Sequence, residues 1–127
     1  MLLHIDFESD TPIYAQLRDQ VVIGIANGSL EKGEALPSVR RMAADIGVHA
    51  HTVNKSYGML RDEGYIVMDR RSGCHVRTDS HPPSEDYRAA LEQKLLPLAA
   101  EAACHGLNAQ DLGAMCAKIM IGMEGSP

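Results

Sequence analysis

Apolar residues recur at helical spacing at the start of the chain. Thr11 has a side chain that can cap a helix, and Pro12 suits the first helical position because it lacks the N–H that would be unpaired there. A stripe of apolar residues at four-residue spacing follows: Ile13, Leu17, Val21 and Ile25. The pattern predicts a first helix that ends at Asn27-Gly28.

Two further helical segments lie close together after a turn-rich stretch. Ser38 is the expected N-cap of the first, and Gly47 is its expected end. The second is predicted from about His49 or Ala50 to Glu63. Two helices joined by a short turn that contains glycine are the signature of a helix-turn-helix.

The hydrophobic period then changes from helical to strand-like. Tyr65 to Met68 predicts a short strand, Asp69 to Gly73 a polar turn, and Cys74 to Thr78 a returning strand. A small hairpin directly after the third helix is what a wing looks like in sequence. We therefore expect an α+β fold whose N-terminal part is a winged helix-turn-helix of three helices plus a β-hairpin wing.

The last third of the chain is predicted to form a separate region. Residues 79–84 are polar and proline-rich and predict a linker, so we expect a DNA-binding domain over 1–78 and a helical region over 85–127. Two helices are predicted there, one to Cys104 and one from Asn108 to about Met123, with Pro97 expected to kink or interrupt the first.

Apolar residues of these two helices would need a partner. They are Leu91, Leu95, Leu98, Leu112, Met115, Ile119 and Met123. We expect a two-helix dimerisation element that pairs with the same helices of a second chain, making a homodimer. Packing of the tail onto its own N-terminal domain is the alternative, and the methionines also suit a small-molecule effector pocket, although core filling is the simpler role.

Net charge is unevenly distributed. The stretch from Pro37 to Arg77 has seven basic and four acidic residues, a net +3, which leaves −8 for the rest of a chain whose total is −5. A basic middle between acidic ends fits a local DNA footprint. The acidic total also predicts weak non-specific binding to DNA.

The third helix carries the residues expected to read DNA, because in this fold it lies in the major groove. The outward-facing candidates are His51, Thr52, Asn54 and Lys55. Asparagine can read adenine, lysine can read guanine or hold a phosphate, and threonine can contact a phosphate or a thymine methyl. A merely solvated helix face is the alternative.

The predicted turn of the wing adds a second set of contacts. Arg70 and Arg71 occupy its tip, where basic side chains reach the minor groove or its phosphates.

Three motifs in order resemble the GntR family of bacterial regulators. They are the PIYxQL run from Pro12, the LPSVR run from Leu36 and the TVxKxY run from Thr52. The resemblance covers about residues 10 to 77, and the short two-helix tail resembles the YtrA-like subfamily. It implies a DNA-binding transcriptional regulator, by family habit a repressor, in a branch that often controls genes for ABC transporters.

The resemblance also bears on single residues. It implies that Arg40 contacts DNA, and Ser38 of the same motif joins the candidate DNA-binding residues. The chain departs from many relatives in having one glycine, Gly73, in the wing turn where they have two, and His75 where they have phenylalanine. His49 and His51 also stand where relatives often have asparagines, so base preference is expected to differ.

Other functions find less support. No phosphate-binding loop, HExxH motif or nucleophile elbow is present, so we expect no enzyme and no cofactor. The histidines and cysteines lack chelating spacing, so no metal site is expected. The three cysteines read as ordinary thiols, although oxidation of Cys74 in the wing is a redox-sensing alternative.

The expected function is therefore sequence-specific binding of double-stranded DNA as a homodimer on an inverted-repeat operator. A protein-interaction module with a degenerate helix-turn-helix is the alternative, supported only by the acidic total charge. The N-terminus, with acidic residues and no basic start or apolar core, lacks the features of a signal peptide, and no segment reads as membrane-spanning. We therefore expect a cytoplasmic protein.

Overall fold

The computed structural model describes residues 3–79 and 81–124. The outer ends of the two predicted domains, at residues 1–2 and 125–127, and Ser80 of the predicted linker lie outside the described residues. The chain divides into two compact units, one up to Thr78 and one from Asp79. Each unit is described by itself.

Three helices of the first unit confirm the predicted helix-turn-helix order. They are α1 (Ile13–Ala26), α2 (Val39–Ile46) and α3 (Ala50–Asp62). The Ser38 hydroxyl caps α2 by accepting a hydrogen bond from the Arg41 N–H at 3.1 Å. Gly47 ends α2 in the left-handed conformation, with φ at 73°, which glycine adopts without strain.

The wing is an antiparallel hairpin of β1 (Ile66–Asp69) and β2 (Gly73–Val76), with residues 70–72 in the turn. A further segment pairs with the other edge of β2. There the Leu36 N–H donates to the Cys74 carbonyl at 2.8 Å, and the Val76 N–H donates to the Glu34 carbonyl at 2.9 Å. No strand was predicted for residues 34–36, because these residues do not alternate between apolar and polar.

The core of this unit lies where α1, α2 and the wing pack against α3. Val53, Tyr57 and Leu60 of α3 have no exposed surface, as the predicted inner face requires. Burying a large apolar side chain of this kind stabilises a fold by about 1.5–3 kcal/mol. The buried apolar residues are Leu17, Val21, Leu30, Leu36, Met42, Ala43, Val53, Tyr57, Leu60, Ile66, Cys74 and Val76.

Residues 3–11 form an N-terminal strap that is tied to α1 by two glutamine side chains. The Gln16 amide donates to the carbonyls of Asp6 and Thr11, at 2.9 and 2.8 Å, and accepts from the Asp6 N–H at 2.9 Å. Gln20 makes the same reciprocal pair with the backbone of His4. Thr11 was expected to cap α1, but no side chain caps this helix, and the Thr11 carbonyl is bound by Gln16 instead.

The second unit consists of α4 (Glu85–Cys104) and α5 (Ala109–Glu124). Ser84 caps α4, and Asn108 and Asp111 cap α5 with reciprocal bonds of 2.8 and 3.0 Å between side chain and backbone. The helix α4 continues through Pro97, so an interruption there was wrong, whereas a kink stays a prediction.

Neither helix of the second unit buries a residue fully. Its large exposed apolar side chains are Tyr87, Leu91, Leu95, Leu96, Leu98, Leu107, Met115, Ile119, Met120 and Ile121. In the described part of the chain, no helix combines the length and apolar character needed to cross a membrane.

Candidate nucleic-acid interface

Two buried hydroxyl groups fix the orientation of α3. The Ser56 hydroxyl, with no exposed surface, donates to the Tyr14 carbonyl of α1 at 2.6 Å. The Tyr57 hydroxyl donates to the Pro37 carbonyl, just before α2, at 2.8 Å. Burial raises the pKa of Tyr57, so its hydroxyl remains a donor at neutral pH. These contacts hold α3 from two sides and leave its opposite face outward.

The α3 residues that are predicted to contact DNA lie on or beside that outward face. His51, Asn54 and Lys55 are exposed, and Thr52 is half-buried. Thr52 precedes Ser56 by four residues and therefore flanks the side of α3 that meets α1.

Lys55 has a specific partner that the sequence did not indicate. Its ammonium nitrogen lies over the ring of Tyr14, 3.9 Å from the ring centroid, which is a cation–π contact. The sequence placed both residues in motifs but offered no sign that the two motifs touch. The adjacent Ser56 binds the Tyr14 carbonyl, so two consecutive α3 residues contact the same tyrosine.

Some arginines of the first unit are engaged by acidic neighbours. Arg41 lies 3.7 Å from Asp45 one helical turn away, and Arg61 lies 3.0 Å from Asp62. Pairs this exposed contribute little to stability, but each places a carboxylate beside the arginine. A phosphate approaching either arginine would meet that negative charge.

The guanidinium groups of the arginines predicted to bind DNA make no ion pair in the described residues, although the Asp69 carboxylate bonds the Arg71 backbone. Arg40, Arg70 and Arg71 are exposed, and none makes an ion pair within residues 3–79 or 81–124. The adjacent Arg40 and Arg41 thus differ in their charge environment, since only Arg41 has a carboxylate partner.

The start of α2 and the wing border one cleft. Ser38 and Arg70 both line it, together with Tyr57 of α3 and Met68 and Cys74 of the wing strands, around about 330 Å³. The structure therefore brings three predicted regions together: the LPSVR motif, the side of α3 toward α2, and the wing. Lys55 is on the side of α3 that meets α1.

The wing turn keeps a defined geometry with its single glycine. Gly73 has φ at 77°, and the Asp69 carboxylate accepts a hydrogen bond from the Arg71 N–H at 2.9 Å. An aspartate that bonds the backbone two residues on stabilises a turn locally.

Cys74 lacks the properties of a reactive thiol. It is 8% exposed, and burial raises its pKa to about 11. Redox-sensing cysteines are accessible and have a lowered pKa, so this environment argues against the redox alternative. Within the described residues, no group of three His, Cys, Asp or Glu side chains is placed to hold a metal ion.

A helix-turn-helix with a hairpin wing and unpaired basic side chains beside its outward helix defines a winged-helix DNA-binding protein. The chain belongs to the gntR family of bacterial regulatory proteins, whose profile matches residues 13–76. This family comprises regulators rather than enzymes, as the sequence predicts.

The similar proteins place the chain in the YtrA-like branch. The HTH-type transcriptional repressor YtrA of Bacillus subtilis is 37% identical over 75 residues, which cover 59% of this chain and 58% of that protein. The regulator Rv1152 of Mycobacterium tuberculosis is 35% identical over 74 residues, covering 58% and 61%. The match thus spans about three fifths of either curated relative.

A solved structure matches over a longer range. YtrA from Sulfolobus acidocaldarius, a GntR-family transcription factor, is 40% identical, with a TM-score of 0.61 over 76% of this chain and 99% of that one. The family predicted from the three motifs and the YtrA-like resemblance predicted from the short two-helix tail are confirmed.

Proposed function

We propose that this protein is a sequence-specific DNA-binding transcriptional regulator that acts as a repressor. The observation that carries the proposal is the pattern of ion pairs among the exposed arginines of the first unit. Arg40, Arg70 and Arg71 have no acidic partner in the described structure, whereas the neighbouring Arg41 has one. Unpaired cations beside an outward α3 are what binding to phosphates and base edges requires.

Each candidate residue has a proposed role. Asn54 and His51 read base edges in the major groove, and Thr52 contacts a phosphate or a thymine methyl. Arg40 and Ser38 contact DNA from the start of α2, and Arg70 and Arg71 contact the minor groove or its phosphates from the wing. Lys55 supplies a further cation.

The proposed active form is a homodimer in the cytoplasm. The apolar stripes of α4 and α5 have no cover within their own unit, and a second copy would bury them. Two-fold symmetry would then place two α3 helices on inverted half-sites about one helical turn apart, roughly 34–36 Å. Control of a transporter operon and response to a small-molecule effector are proposed from the family resemblance alone.

The test is fluorescence anisotropy with DNA from upstream of the protein's own gene and with scrambled DNA, over a series of salt concentrations. We expect tighter binding to the upstream fragment. Arg40→Ala should weaken it at least about tenfold, while Arg41→Ala, the matched control one residue away, should change it less than about twofold. No binding to either DNA at low salt would overturn the proposal and favour the protein-interaction module.

A further inference from the structure

We propose that Tyr14 is a positioning residue that makes Lys55 a phosphate contact rather than a base-reading residue. The inference rests on the proposed DNA-binding function and assigns one contact within it. The sequence alone left both roles open for this lysine.

The first step is where the lysine charge lies. The ammonium of Lys55 is 3.9 Å from the centroid of the Tyr14 ring. The ring belongs to the first turn of α1, so the charge is held at the seam between α1 and α3. Asn54 is one residue away, which is about 100° around α3 and nearer to the side where Tyr57 bonds the residue before α2.

The second step is that the backbone that carries the ring is held in place. The Tyr14 carbonyl accepts a 2.6 Å hydrogen bond from Ser56, whose side chain has no exposed surface. Gln16, two residues further on, is bonded to the N-terminal strap on the other side. The tyrosine backbone is thus tied to the residue next to Lys55, which keeps the ring within reach of the lysine.

The third step concerns what this does to recognition. A lysine on a flexible four-carbon stem normally samples many positions, and its ordering on DNA costs conformational entropy. A ring that holds the ammonium in place before DNA arrives lowers that cost. A charge at the edge of the recognition helix meets the sugar–phosphate backbone flanking the groove, which carries no sequence information.

The experiment is a double-mutant cycle on the full chain, with affinity measured at several salt concentrations for scrambled DNA and for the upstream fragment that holds the proposed operator. Lys55→Ala should reduce affinity for both DNAs by the same factor and lower the slope of log K against log salt by about 0.9. Tyr14→Leu should reduce the affinity for DNA about two- to fivefold. In the Lys55→Ala background, Tyr14→Leu should cause no further loss.

Conservative variants separate the ring from the rest of the tyrosine. Tyr14→Phe keeps the ring and should bind as the unchanged protein does. Tyr65→Leu removes the ring of the other cation–π pair, with Arg18, and should leave affinity unchanged. The stability of each variant is measured by urea unfolding, and its binding is measured well below the unfolding transition. A loss of folding is then not mistaken for a loss of contact.

Several results would overturn the inference. Equal losses in Tyr14→Phe and Tyr14→Leu would assign the effect to the hydroxyl instead of the ring. Additive losses in the double variant would show that the two residues act independently, and a Lys55→Ala loss confined to the operator would make the lysine a base reader. Failure of the unchanged protein to bind any DNA would instead overturn the proposed function on which the inference rests.

Discussion

At the scale of single residues, burial sets the chemistry of the wing thiol. Cys74 faces inward from β2, opposite Met68 of β1, and is nearly enclosed. Because the thiolate is the reactive form and burial disfavours charge, a pKa of about 11 lowers the thiolate fraction at neutral pH about a hundredfold relative to the ordinary value of 9.0. The wing is therefore protected from oxidation by its own packing.

Alkylation measures this protection. At pH 7.5 we expect iodoacetamide to modify Cys74 in the folded protein at least about tenfold more slowly than in urea, followed by peptide mass spectrometry. Because the pKa is raised, the rate in the folded protein should keep increasing with pH up to about 11. A folded-state rate equal to that in urea would contradict the account.

At the scale of elements, the strap shows that side-chain amides can bond the backbone of an extended segment as a neighbouring strand would. Gln16 and Gln20 are four residues apart on α1, and their partners Asp6 and His4 are two residues apart on an extended segment. A helical turn and two extended residues have similar lengths, so each amide meets one backbone N–H and C=O pair.

Removing one amide tests this pairing. Gln16→Ala loses three hydrogen bonds to partly exposed backbone, and we expect the free energy of unfolding to fall by about 1–2 kcal/mol in urea. Gln16→Glu keeps the acceptor but cannot donate to the two carbonyls, so it should also be destabilised. Gln93→Ala on exposed α4 is the control, with no measurable change expected.

Unchanged stability in Gln16→Ala would mean that the strap is held by Leu3 and Ile5 packing on the core rather than by the amides.

The elements also show what the sequence could and could not predict. Helices with an apolar period and a terminal glycine, such as α2 ending at Gly47, were predictable because local signals define them. The pairing of Glu34 and Leu36 with β2 was not, because that segment is held by backbone bonds to residues distant in sequence. The helix α4 is not interrupted at Pro97, because a proline lacks only one N–H and the helix tolerates that loss.

The candidate site likewise has features that the sequence could predict and features that it could not. The exposure of Arg40, Asn54 and the wing arginines was predictable from their motifs, and their contacts with DNA stay predictions. The Tyr14–Lys55 contact was not, because it depends on how α1 packs against α3.

At the scale of the whole molecule, the distribution of apolar surface calls for an assembly. Of the thirteen large apolar side chains exposed in the described chain, ten belong to the second unit. Monomeric soluble proteins rarely expose large apolar patches, so this uneven distribution supports the proposed dimer. The proposed dimer would bury the stripe that includes Leu95 and Ile119.

Adjacent leucines of α4 offer a matched test of the dimer. Leu95→Glu places a charge in the proposed interface, so light scattering should show a monomer at micromolar concentration, with DNA affinity reduced at least about tenfold. Leu96→Glu, one residue away and outside the proposed stripe, should stay dimeric. If both variants were dimeric, or both were monomeric, the result would contradict the assignment of Leu95 but not Leu96 to the dimer interface.

Selection from a random pool of double-stranded DNA tests the central claim most directly, because it assumes no operator. We expect enrichment of an inverted pair of half-sites separated by about one helical turn, and no enrichment with the Arg40→Ala variant. Recovery of unrelated sequences by the folded, unchanged protein would contradict sequence-specific recognition by this face.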